Sequence, residues 1–200
     1  MRESSKVRET QPERSARTRS ALMTAARTLF AQKGYAETGR EEIAETAGVT
    51  RGALYHHFSS KADVAEAVIM QIEDELVERV VSAALTGEGV REQLRLGCRA
   101  YMEACADPTM ARILAEAPSI LGVDACHNLE AAACVPLLLH VLTEARSEGL
   151  TVPGDPSVAA TLLLGMVNAG AAVIAAAPGD GPLRERVSET VDQFLSQILT

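Results

Sequence analysis

The chain has no tryptophan and only three phenylalanines and three tyrosines in 200 residues. Aromatics make up 3% while alanine and leucine abound, so strand builders are scarce and helices are favoured. Cysteine is confined to Cys98, Cys105, Cys126 and Cys134. The N-terminus is polar and shows no apolar leader, so a reducing cytoplasm and free thiols are expected. Cys98 and Cys105 would share a helix face but lie ~10 Å apart along it. Cys126-His127 and Cys134 lack zinc spacing, so no metal or cofactor is expected and inert buried thiols are. Nucleophile motifs and paired carboxylates in an apolar context are also missing, which argues against an enzyme. One uncharged run, Ala159 to Ala177, interrupts this polar picture. It holds Asn168 and many alanines and has no basic flank, so it reads as a helix buried at a subunit interface and not as a membrane span.

What is present is a division of charge. The net charge of −8 argues against a nucleic-acid partner, but residues 1–61 hold 11 Lys+Arg against 7 Asp+Glu, and residues 62–200 hold 8 against 20. A basic first third on an acidic remainder fits a DNA-binding head on a body with another task; ordinary scatter is the plainer alternative.

Residues 1–12 are polar without an apolar period and read as a flexible arm, in which Arg2, Lys6 and Arg8 either touch DNA or merely keep a tail soluble. From Arg14 to Lys33, Leu22, Ala25, Ala26, Leu29 and Phe30 recur at helical spacing, and Gly34 ends the run. Thr38-Gly39-Arg40-Glu41 has the form of a capping box for a second helix with Ile43, Ala44 and Ala47 inside. Gly48 stops it, and Thr50 caps a short third helix after a tight turn. Ser60 to Asp63 opens a fourth helix to about Ala84, with Val64, Val68, Ile72, Leu76 and Val80 on its inner side. Five further helices are predicted over about 90–106, 108–122 (interrupted at Pro118), 123–147 (kinked at Pro136), 157–177 and 182–199. There is no convincing strand and no repeat.

The turn Ala47-Gly48-Val49-Thr50, followed by Arg51-Gly52-Ala53-Leu54-Tyr55-His56-His57-Phe58 and Ser60-Lys61, resembles the TetR family of bacterial transcriptional regulators over about residues 14–65. The stretch from Asp107-Pro108 to Ala117-Pro118-Ser119-Ile120-Leu121-Gly122 looks like the body of one subgroup, which often has tryptophan where Val123 stands here. The resemblance implies an all-α fold of about nine helices. An arm (1–12) leads into a three-helix helix-turn-helix DNA-binding domain (13–61), and an effector-binding and dimerisation domain (62–200) follows. It implies a ligand-responsive, sequence-specific regulator, a repressor released from a palindromic operator by a small apolar or amphipathic effector. The alternative is a helical protein-interaction module or adapter without specific DNA binding.

Roles follow position by position. Thr38 and Arg40, at a helix N-terminus, would meet phosphate, with Arg40 pointing outward where the family usually has an apolar residue. Thr50, Arg51 and Gly52 open the recognition helix; Arg51 is the base reader, and Gly52 permits close approach. Tyr55, His56 and Lys61 resemble phosphate contacts, although Tyr55 also suits partial burial and His57 suits packing on the first helix. A lone helix-turn-helix binds too weakly to select a genomic site, so a homodimer is expected. Its interface candidates are Gly165, Ala169, Ala172 and Ala176 on the eighth helix and Val187, Val191, Phe194 and Ile198 on the ninth, with an intramolecular core as the alternative. The family's apolar effector pocket would draw on Tyr101, Met102, Cys105, Ile113, Leu121, His140, Met166 and Asn168, each of which also suits plain core. The scarcity of aromatics argues against a pocket that stacks large planar cations.

Overall fold

The computed structural model describes residues 10–199, and every regular element among them is an α-helix. The chain divides into two compact units, one ending at Val68 and one starting at Ile69.

The first unit comprises α1 (Gln11–Lys33), α2 (Arg40–Thr46), α3 (Arg51–His57) and the opening turns of α4 (Lys61–Ala84). α1 starts earlier than its apolar period. The Glu13 N–H donates to Thr10 Oγ1 (3.4 Å), the Thr10 N–H donates to Glu13 Oε2 (2.7 Å), and Pro12 occupies the first turn. The expected arm therefore overran at Gln11 and Pro12, while Arg2, Lys6 and Arg8 lie outside the described residues. Leu22, Ala25, Ala26, Leu29 and Phe30 are buried as their spacing predicts, and Ile43, Ala44, Leu54 and Phe58 complete the core with Val64 and Val68 of α4. That burial places the unit's end beyond the residue-61 boundary drawn from sequence.

The turn between α2 and α3 rests on one glycine. Gly48 has φ +66°, where an L side chain is strained. Its N–H donates to Glu45 O (3.0 Å) and the Val49 N–H donates to Ala44 O (3.0 Å), a Schellman closure. Two residues on, Thr50 Oγ1 accepts from the Ala53 N–H (3.2 Å) and starts α3.

The second unit holds the rest of α4 with α5 (Val90–Cys105), α6 (Pro108–Leu121), α7 (Val123–Ser147), α8 (Pro156–Ala175) and α9 (Gly181–Ile198). Asp107, Asp155 and Asp180 cap α6, α8 and α9, each before a proline in the first turn. α6 continues past Pro118 to Leu121, where an interruption was predicted, and α7 continues through Pro136. α8 packs on α5, α7 and α9. At Gly170 a Cβ would stand 2.7 Å from Met102 Sδ and 3.3 Å from Val187 Cγ1, so the glycine sets how closely α5, α8 and α9 approach. α9 is also held by charge, since the Arg99 guanidinium reaches Asp192 Oδ2 through Nη2 (2.7 Å) and Nε (3.0 Å).

The uncharged run proves two-faced. Ala160, Leu163, Leu164, Val167, Ala171 and Ile174 face inward, while Val158 and Leu162 are exposed, as are Gly165, Ala169, Ala172 and Ala176. By length and composition both α7 and α8 are apolar enough to cross a membrane. Here each packs on other helices of its own unit.

Candidate nucleic-acid interface and ligand cavities

The outward face of the first unit gathers Thr50, Arg51, Gly52, Tyr55 and His56 on α3, all exposed. Arg51 does not hang free. Its Nη2 lies 3.1 Å from Glu41 Oε1 and donates to Tyr55 Oη at 3.2 Å, and Tyr55 Oη donates to Glu41 Oε1 (3.3 Å). Its own backbone N–H, then Arg51, hold the Glu41 carboxyl below the usual carboxylate range. Arg40 is half-buried on the surface of α2 and not in the core. Its guanidinium lies 4.6 Å from the Tyr55 ring centroid and Nη1 donates to Ser59 O (3.2 Å). Gly52 meets only Thr50 Oγ1, at 3.9 Å, where its Cβ would be, so the fold itself has room for a side chain there. His57 is half-buried, and burial, then His56 and Arg19, push its imidazole pKa below the ordinary value.

Two expected contacts are placed otherwise. Thr38 is 1% exposed and donates through Oγ1 to Gly34 O (2.8 Å); α2 is capped by Gly39 without a side-chain bond, and Glu41 faces Arg51 instead of closing a box. Its hydroxyl is therefore turned away from any phosphate. Lys61 Nζ donates to Tyr35 O (2.8 Å), Ala36 O (3.2 Å) and Thr38 O (3.0 Å), and lies over the Tyr35 ring. An ammonium has three N–H bonds, and these carbonyls take all of them. Lys61 thus ties the α1–α2 loop to the start of α4. Glu41 and Tyr35 were missed as partners because helix spacing alone says nothing of contacts across a turn.

Two of the cavities in the second unit share Tyr101 as a wall. One, about 440 Å³, is lined chiefly by aliphatic side chains such as Val77, Val80, Leu94, Leu138, Val141 and Leu164. The other, about 380 Å³, lies among α4, α5, α6, α7 and α8 and includes Glu73, Cys105, Glu130 and Asn168. Of the residues expected to line a pocket, Tyr101 lines both, Cys105 and Asn168 line the second, and His140 stands at the rim of the first, its side chain 81% exposed. Met102 and Ile113 are packed core, Leu121 lines neither cavity, and Met166 borders a separate hollow beside Pro153 and Leu162. Carboxylates in an apolar setting, read as missing from the sequence, are present as Glu73 and Glu130. The signal was Glu73 itself, which follows Ile72 and falls between Ile69 and Leu76 on the buried stripe of α4.

Burial pushes the Cys98, Cys105 and Cys134 thiols up to about 12, which keeps them protonated at neutral pH. Cys105 and Cys126 are half-buried where buried thiols were expected, and burial raises Cys126 as well. On α9 the expected apolar stripe splits: Phe194 is 53% exposed, Val187 and Ile198 are half-buried, and Val191 belongs to the protomer's own core.

Comparison with known proteins agrees with this two-unit plan. Residues 22–68 match the family described as bacterial regulatory proteins, tetR family, and residues 91–198 match the tetracyclin repressor-like C-terminal domain. A TetR-family transcriptional regulator from Pectobacterium atrosepticum superposes with a TM-score of 0.79 at 30% identity, over 96% of this chain and 98% of that one. The transcriptional activator FasR of Mycolicibacterium smegmatis is 39% identical over 85 residues, which is 42% of this chain and 39% of FasR. The repressor KstR2 of Rhodococcus jostii is 34% identical over 79 residues, 38% of this chain and 39% of KstR2. The chain thus aligns with about two-fifths of the length of these curated relatives. With both halves matched and the helix-turn-helix geometry in place, the chain belongs to the TetR family of helix-turn-helix transcriptional regulators.

Proposed function

We propose that this protein is a cytoplasmic, homodimeric repressor that binds a palindromic operator and is released from it by a small apolar or amphipathic molecule. The observation that carries the reading is the N-terminal end of α3. Arg51 presents a planar fork of donors there, and Gly52 keeps the helix thin where the fold does not need it thin. Arg40, Thr50, Tyr55 and His56 flank that end as backbone contacts, which fix register without reading sequence.

Dimerisation is supported by the exposed stripe Val158, Leu162, Gly165, Ala169, Ala172 and Ala176, which follows the spacing of a helix-packing seam, with Phe194 exposed on α9. The cavities supply room for an effector, since ligand sites commonly run from about 300 Å³ upward. Because α4 belongs to both units, a ligand that favours one setting of α4 would shift the population between DNA-competent and DNA-incompetent dimers, and DNA and ligand would oppose each other reciprocally. FasR is named an activator and KstR2 a repressor, so the direction of output is part of the proposal.

The test is selection of bound duplexes from a random pool at two salt concentrations. A palindromic winner is the expected result. Salt-sensitive binding without a preferred sequence would reduce the first unit to a non-specific anchor, and no binding would favour a protein-interaction module.

A further inference from the structure

The second cavity is apolar on its α6 side, where Ala111, Leu114 and Ala117 line it, and polar opposite, where Glu73, Tyr101, Glu130 and Asn168 meet. Its polar side is unbalanced in two ways. Glu73 Oε2 is shielded from solvent and has no hydrogen-bond partner among the described residues. No lysine or arginine lines the cavity and its one histidine, His127, is exposed at the rim, so two carboxyl groups share it without a permanent counter-cation. A buried acceptor without a donor is costly, and more so when it is charged.

The neighbouring hydrogen bonds do not relieve this. Tyr101 Oη donates to Glu130 and also lies 2.5 Å from Asn168 Oδ1. A phenol has one proton to give, so the pair is satisfied when Asn168 turns its amide NH2 toward Tyr101. Tyr101 and Asn168 are then committed to each other and to Glu130, and the Glu73 oxygen still lacks a donor. What the site lacks is a positive charge carrying N–H bonds, joined to an apolar body that fits beside α6.

We propose that this cavity binds an aliphatic organic ammonium ion, whose N–H groups donate to Glu73 while its hydrocarbon part lies against α6. The proposal rests on reading the second unit as the effector-sensing half, and it names the chemical class sensed. A metal ion is a poor fit, since no group of three or more His, Cys, Asp or Glu among the described residues is placed to hold one. A large planar cation also fits poorly, because Tyr101 is the one Phe, Tyr or Trp side chain in the lining.

Binding is coupled to a proton. Burial, then the charges of Glu130 and Asp74, raise the Glu73 carboxyl to about 7, so in the empty cavity it is largely protonated below neutrality. An incoming ammonium takes the place of that proton, which leaves to solvent. The other titratable groups facing Glu73 are Asp74 on its own helix, Tyr101 and Cys105 from α5, and Cys126, His127, Glu130 and Cys134 from α7; Asn168 of α8 is neutral and α6 contributes none to the lining. Burial raises the phenol and the thiols, which keeps them neutral. Exposed His127 at the rim is the group that must be separated from Glu73 by experiment.

The test is calorimetric titration of the whole, DNA-free protein with octylammonium, octanol and octanoate at pH 6 and pH 8. Octylammonium should bind one per chain, about tenfold more weakly at pH 6 because only the ionised fraction of Glu73 is competent, and with proton release seen as a buffer-dependent heat. Glu73→Gln should lose at least tenfold in affinity together with the pH dependence, and His127→Gln should keep both. Failure of octylammonium to bind, octanol or octanoate binding as tightly, or Glu73→Gln binding octylammonium like the wild type would overturn the proposal. The series on unmodified protein decides the class of ligand even if Glu73→Gln does not fold. Release from the selected operator is read separately. Ammonium binding without release would leave the cation site standing and sink the ligand-responsive reading. Release by the neutral alcohol without ammonium binding would do the reverse.

Discussion

Arg51 and Glu41 pair across the helix-turn-helix, guanidinium to carboxylate at 3.1 Å, before any DNA is present. If Arg51 reads a base as proposed, its side chain is pre-aimed, since Tyr55 fixes the same guanidinium from within α3. It is also partly occupied, because Glu41 would have to surrender it to the base. Glu41→Gln should therefore tighten operator binding several-fold and leave base preference unchanged. Arg51→Ala should weaken the preferred operator by ~10- to 100-fold while sparing random DNA, the discrimination typical of one bidentate contact. Fluorescence anisotropy on operator and scrambled duplexes measures both. Preference unchanged in Arg51→Ala would remove Arg51 from base reading.

Gly52 separates fold from function cleanly. A methyl group there meets nothing closer than 3.9 Å in the free protein, and alanine is the better helix former by about 1 kcal/mol. Gly52→Ala should melt at or slightly above the wild-type temperature and yet lose operator binding, because the methyl would stand where the proposed recognition helix approaches the groove. Normal binding by a folded Gly52→Ala protein would show that α3 does not enter DNA at this end.

Lys61 leads to the opposite expectation. Its three N–H bonds hold the carbonyls of Tyr35, Ala36 and Thr38. Lys61→Met keeps the stem but orphans those acceptors, at a cost of about 1–3 kcal/mol. The first unit should melt earlier, while the slope of log affinity against log salt stays near wild type. A flattened slope without loss of stability would restore Lys61 as a phosphate contact.

The helices were legible in the sequence because their signals are local. The apolar period of α1, the Gly48 stop, the Thr50 cap and the aspartate-proline start of α6 each operate within a turn or two of chain, whereas the Asp155 cap and Pro156 start of α8 fell in the expected loop. Thr38 shows the limit. Its pattern with Glu41 satisfies a capping box, yet the buried hydroxyl bonds backward to Gly34 and a glycine caps α2. The nearest competing acceptor decided the outcome, and spacing does not reveal it. Across the body the loss is greater. Tyr101, Cys105 and Asn168 lie at a cavity, whereas Met102, beside Tyr101 on α5, and Ile113 of α6 are packed core. Periodicity separates inside from outside, but it does not separate filled interior from void.

The exposed stripe of α8 makes its own prediction. Leu162 is 70% exposed and Phe194 53%, and Leu162 belongs to an exposed apolar stripe with Val158, Gly165 and Ala169. Leu162→Glu places a charge on the seam and should convert a dimer to monomers in sedimentation equilibrium, with little change in the melting of the first unit. Val191→Glu should behave differently, unfolding the second unit, because Val191 is inside the protomer. A dimer that survives Leu162→Glu would move the interface off α8.

Glu73 gives stability a pH signature of definite sign. Its carboxyl is raised from the ordinary value of 4.5 to about 7 in the fold, chiefly by burial. Between those values the folded chain holds a proton that the unfolded chain has released, so stability falls as pH rises through the window. Below about 4.5 the penalty is absent, and above about 7 it is complete. The full shift corresponds to roughly 1–3 kcal/mol once discounted for the part of the side chain that water reaches. Glu73→Gln mimics the protonated form at every pH. It should match the wild type in thermal melts at pH 4.5 and outlast it at pH 8, with the difference opening between pH 5 and 7. Other groups titrate alike in both proteins, so the difference curve isolates this carboxyl and whatever Glu130 gains from its removal. If the two proteins differ by a constant amount at every pH, folding leaves the Glu73 carboxyl at its ordinary pKa and burial does not raise it.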